Sequence, residues 1–317
     1  MIAKIKIILI FILFIPIISS GQGKYCIHQF KALKAYDNKD YLVAKAYMDS
    51  ALVTCFNIKE KAYTWHVLGF IHYAIYKEID KKNPSSTARE KTIESIKKSI
   101  ELDTILEFEK TNKKILTYLA ISYWNNCVTH LDTINYEKSI SFYNSYTELY
   151  AFTNPEHELE QSEIIFNQEL SNIYEKKFEN TQSKNEYYFN EAVKLHKEVL
   201  RLDSLNYQSN MALGKLYYNL GVMYIFSLDD DIDMFKFIEV QDKVVDNFKI
   251  SLPYFKKAYQ IQPNDKETIT GIAGVYHQLH ETEKFMTYMN LLEEIKDKEK
   301  DKEKDKEPKI NKEPIDK

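Results

Sequence analysis

Glycine and proline are scarce in this chain, seven of each in 317 residues. Sheet proteins need turn residues every ten positions or so, and anion cradles need clustered glycines, so the composition argues against both. The sequence contains no Gly-rich phosphate loop, no G-x-S-x-G elbow and no H-E-x-x-H pair. A formal charge of −4 is small for this length and supplies no basic field for nucleic acid. Every Asn-x-Ser/Thr triplet is missing except Asn83-Pro84-Ser85, which its proline blocks, and this leans toward a bacterial envelope rather than a glycosylating secretory route. What the chain does have is 44% apolar residues, abundant Lys, Glu, Ile and Leu, and 24 tyrosines. That mixture favours long helices around a sizeable core.

The first 21 residues differ from the rest. Two lysines in "MIAKIK" precede the apolar run "IILIFILFIPII", and small residues "SSG" follow. This three-part layout is that of a secretory signal peptide, with cleavage expected after Gly21 to leave Gln22 first. Twelve apolar residues are too few to span a bilayer comfortably; the alternative is retention as an anchor. Cys26 follows Tyr25, not a small residue, so no lipoprotein site is present. The mature chain is thus expected to be exported, periplasmic or secreted, without a stable membrane span. At the other end, residues 296–317 alternate Lys with acid, and the expectation for this tail is disorder.

Between these ends a ladder recurs. Met48, Ile96, Tyr143, His196, Phe255 and Met289 each head an i, i+3, i+4 helical face. Four residues before them stand Ala44, Thr92, Ser139, Ala192, Ser251 and Phe285, five of the six small. Seven before them, Tyr41, Tyr136, Phe189 and Phe248 are aromatic. A small residue one turn before a large one lets a neighbouring helix approach and be filled in. Six such helices in register are a repeat. Each is preceded by a second signature: Trp65-x-x-Leu68-Gly69-x-x-His72, Leu119-Ala120-x-x-Tyr123, Leu213-Gly214-x-x-Tyr217 and Ile272-Ala273-x-x-Tyr276.

These residues resemble the tetratricopeptide repeat (TPR) family, over roughly residues 24 to 295. The spacing departs from it: the six anchors are separated by 48, 47, 53, 59 and 34 residues, and only the last equals the family period. The surplus falls between the two helices of the middle units, where longer helices and turns are expected. Thr87-x-x-Glu90 reads as a capping box, Pro155 suits the first turn of the following helix, and Pro253 calls for a kink or restart. The fold class expected is therefore all-α: a TPR-like α-solenoid over 22–295, a right-handed superhelix of about six helical hairpins. Cys26 and Cys55 flank the first hairpin, whose antiparallel packing would bring them together; they are either a disulfide or two buried thiols.

The resemblance implies a concave surface made by the first helices, of the kind that binds peptides or protein segments. Position 12 of the repeat carries Tyr36, Tyr73, Trp124, Tyr218 and His277, with Glu175 breaking the column in the fourth unit. These rings are candidate groove contacts; an error of one position would make them interhelix packing instead. No carboxylate-clamp pattern is present, since His66 and Phe70 stand where its polar groups would be. His277 and His280 are too few for a metal site, Cys127–His130 lacks a second half, and "DDDID" at 229–233 lacks the glycine and glutamate of a calcium loop. No catalytic residue, metal ligand or cofactor is expected. The sequence reads as a non-enzymatic interaction scaffold outside the cytoplasm with a protein or peptide partner. The alternatives are a self-associating, homo-oligomeric envelope protein and an enzyme whose site no motif reveals.

Overall fold

The computed structural model describes residues 26–304, apart from 157, 182–184 and 229–231. The expected signal segment and the end of the charged tail lie outside these residues. The described chain is helical, with no strand among those residues: α1 (Ile27–Asp37), α2 (Tyr41–Thr54), α3 (Ala62–Ala74), α4 (Thr87–Leu102), α5 (Glu109–Thr129) and α6 (Tyr136–Thr153), followed by α7 (Glu160–Asn180), α8 (Glu186–Leu202), α9 (Tyr207–Phe226), α10 (Met234–Ile261), α11 (Lys266–Gln278) and α12 (Thr282–Lys304). They form six hairpins and two compact units, residues up to 114 and residues from 115 on. The all-α, TPR-like hairpin architecture read from the sequence is the one observed. The extra length of the second unit's middle repeats lies in long helices, with α10 the longest at 28 residues.

The small-and-large ladder is the packing contact. Ala44, Thr92, Ser139, Ala192 and Ser251 are all buried, as are Met48, Ile96, His196 and Phe255 one turn later. Opposite two of them, the first helix of the same hairpin presents a glycine. A Cβ on Gly69 would come within 2.5 Å of Ile96, and one on Gly214 within 2.7 Å of the Phe255 ring. Gly271 of α11 meets the same ring at 2.7 Å, so Phe255 is clasped by glycines from both neighbouring helices. In the second unit, one core cluster gathers Phe166, Leu170, Phe178 and Leu213, and a second gathers Met211, Phe248, Phe255 and Ile272. Helix α9 supplies residues to both.

Local signals were displaced in four places. Helix α4 is capped by Ser86, whose hydroxyl accepts from the Ala88 amide, one residue before the expected Thr87. Pro155 follows the C-cap of α6 at Asn154, where it stops that helix instead of opening α7. Helix α10 runs through Pro253 without a restart. Pro253 and Lys249 are both exposed, so the carbonyl that loses its amide partner is left to solvent. Helix α12 continues past residue 296 to Lys304, into the tail expected to be disordered. Lys and Glu are strong helix formers, and Glu299 pairs with Lys266 on α11. Asp233, the last of the aspartate run, caps α10, accepting from the amides of Phe235 and Lys236.

Cys26 and Cys55 are joined by a disulfide, with Cα atoms 5.7 Å apart, across the open end of the first hairpin. Cys127 is buried, its sulfur 3.2 Å from the Ser139 hydroxyl, and burial raises its thiol pKa.

Two outcomes follow from this packing. Phe255→Ala should lower stability by about 3–5 kcal/mol in urea unfolding, because glycines on both sides cannot fill the cavity. Burial lowers the pKa of His72 below its free value of 6.5. The unfolded chain therefore takes up that proton first, and stability should decline as pH falls below about 6.5. A His72→Leu variant should show a flatter decline in melting temperature between neutral and mildly acidic pH.

Candidate functional site

The second unit contains a cleft of about 550 Å³ between the α5–α6 turn and one side of α7. The turn is "THLDTIN", and Asp132 organises it. Its carboxylate accepts from the amides of Ile134 at 2.7 Å and Asn135 at 2.8 Å, and from the Asn135 side chain at 2.9 Å. These bonds, the Asn135 side chain first, hold the Asp132 carboxyl below the usual range, so the turn carries a fixed negative charge. Lys177 of α7 donates to the Thr133 carbonyl and lies over the rings of Tyr136 and Tyr188, at 4.8 and 5.2 Å. That clasp ties the turn to the helix.

Helix α7 supplies the opposite wall. Glu169, Asn172, Ile173 and Lys176 follow one another at helical spacing, with Glu175 and Glu179 beside them. The lining therefore carries four carboxylates (Asp132, Glu169, Glu175, Glu179) against one lysine, Lys176.

Glu175 is held from beneath. His196 occupies the anchor position of α8, where three other repeats carry Met48, Ile96 and Phe255, and it is 2% exposed. A polar ring in that place needs partners on both nitrogens. Nε2 donates to Glu175 Oε1 at 2.5 Å, since a carboxylate can only accept. Nδ1 lies 3.2 Å from the Ser209 hydroxyl of α9 and 3.4 Å from that of Ser171, whose own proton goes to the Gln168 carbonyl. The anchor and the column-breaking Glu175 are thus exchanged together for a hydrogen-bonded pair. The order serine, histidine, glutamate looks like a nucleophilic triad, but both hydroxyls are fully buried, so no reacting atom could reach them.

The ring column lies elsewhere. Tyr36 packs on Tyr41, with centroids 5.5 Å apart, and burial raises its pKa. Trp124 lies 5.2 Å from Tyr146, Tyr218 lies 5.3 Å from Phe248, and the exposed His277 lies 5.2 Å from Phe285. Each of these four rings meets the second helix of its own hairpin; Tyr73 is half-buried on α3. Tyr36 and Tyr73 belong to the first unit and the other three to the second, and none lines the α7 cleft. Sequence reasoning missed Asp132, Glu169 and Glu179. Its one pointer to the cleft was the break in the column at Glu175.

Among the described residues, no group of three or more His, Cys, Asp or Glu side chains is placed to hold a metal ion. No family model matches the chain, and no curated protein matches it. Among solved structures, it is similar to a TPR repeat protein from Bacteroides fragilis at 15% identity, covering 79% of this chain and 96% of that one, with a TM-score of 0.40. MamA is similar at 14% identity, over 85% and 96% of the two chains, with a TM-score of 0.25. The TPR2AB domain of yeast Sti1, in a complex with pHSP90, is similar at 14% identity over 84% and 89%, with a TM-score of 0.26.

Removing the Glu175 carboxylate leaves the buried imidazole without its Nε2 partner. Glu175→Ala should therefore cost about 1–3 kcal/mol in urea unfolding. In a double-mutant cycle with His196→Leu the two losses should not add.

Proposed function

We propose that this chain is a non-enzymatic protein-interaction scaffold acting outside the cytoplasm, and that its α7 cleft takes a lysine- or arginine-rich segment of a partner protein. The observation that carries this reading is the cleft's charge: four carboxylates converge on it, one fixed by the turn and one braced by His196. A basic segment lying there would be steered by the acidic field and would pair with groups already held in place. The depth of the serines beneath the cleft supports binding without chemistry. The Cys26–Cys55 bond supports a location outside the cytoplasm, since such bonds persist in oxidising compartments.

The test is titration of basic, neutral and acidic peptides of equal length into the chain, followed by fluorescence anisotropy. Basic peptides should bind selectively and weaken with added salt. Glu169→Lys with Glu179→Lys, both on exposed positions, should weaken them by about tenfold or more while the helical circular dichroism stays unchanged. Equal binding of acidic and basic peptides, or indifference to the reversals, would refute this site.

A further inference from the structure

The first hairpin leaves several large apolar side chains exposed. The outward side of α1 reads Ile27, Phe30, Lys31, Lys34, and its two apolar residues are 57% and 65% exposed. Across the disulfide, Val53 is 84% and Phe56 91% exposed. Ile27 and Phe56 each adjoin a bonded cysteine, so the disulfide holds both at one end of the hairpin. The turn bearing Phe56 is fixed. Ile58 is buried, Asn57 takes a left-handed φ of 53°, and Trp65 Nε1 donates to the Lys59 carbonyl at 2.8 Å. Phe56 is thus an aromatic ring projected into solvent from a braced backbone. With Val53 and Lys59 it lines a shallow depression of about 390 Å³. A repeat-protein face left to water is ordinarily polar, and this one carries four large apolar side chains.

Charge and position say what covers them. Lys31, Lys34, Lys59 and Lys61 are exposed around the apolar centre, with Glu60 among them and Asp49, paired with Lys45, one turn before Val53. Apolar side chains rimmed by lysines suit a bilayer interface, with rings among the acyl chains and ammonium groups at lipid phosphates. The expected cleavage point, after Gly21, lies five positions before Cys26, so export would bring this end of the hairpin through the membrane first. No helix among the described residues is long and apolar enough to cross a membrane, so the contact is with its surface.

We propose that the disulfide-stapled end of the first hairpin docks on an anionic lipid surface, inserting Phe56 with Ile27, Phe30 and Val53. The test uses the chain from residue 22 onward, which keeps every described residue, and cosedimentation with vesicles. The chain should pellet with phosphatidylglycerol-containing vesicles, more weakly with pure phosphatidylcholine, and less at high salt. Phe30→Ser and Phe56→Ser should each lower partitioning by about tenfold without changing helical content. Retention of the chain in the supernatant with anionic vesicles, or unchanged binding of Phe56→Ser, overturns the proposal. So does light scattering that shows a dimer dissociated by Phe56→Ser in a chain that ignores vesicles, which would assign the patch to a second copy.

Discussion

Two helices can lie close only where one surface recedes as the other advances, and in this chain that exchange is set by one residue per helix. In five hairpins the second helix carries a bulky side chain one turn after a small one, and in two of them the first helix answers with glycine. Phe255 between Gly214 and Gly271 shows the arrangement at its tightest, because the ring touches the helices on both sides. Dispersion falls away steeply with distance, so contact at this range holds this hairpin shut and joins it to the next. Loops, caps and surface charges are arranged around positions these contacts already hold.

That exchange was also what could be seen beforehand. Five small residues at a fixed offset from six large ones give a periodic signal, and periodic signals survive uncertainty about where any single helix begins. The signals that failed depend on single residues. Ser86 and Thr87 are both good caps, and only the direction of the incoming backbone chooses between them. Pro253 ordinarily breaks a helix, but an exposed proline with a solvated carbonyl ahead of it does not. The Lys/Glu tail was judged by its missing apolar residues, whereas its start is long enough to continue a helix already nucleated by packing.

The site was less legible than the fold for a related reason. Aromatic residues at helical spacing suggest a surface for recognition, yet here most of them face the partner helix. The acidic cleft uses residues from a turn and a helix some forty positions apart, and no spacing rule connects Asp132 with Glu169 or Glu179. Glu175 was visible as an exception to the column, whereas His196 was read only as one of the six anchors. Only coordinates show that the two answer each other: the histidine needs an acceptor and the glutamate provides one.

The remaining cysteine bears on how such a chain matures. In the oxidising compartment proposed above, three thiols allow three pairings, and just one matches the finished molecule. Cys127 is withdrawn from that competition by its place between α5 and α6, where Ser139 adjoins it and burial disfavours the reactive thiolate. In the folded chain the burial of Cys127 in the third hairpin leaves Cys26 and Cys55 to pair with each other.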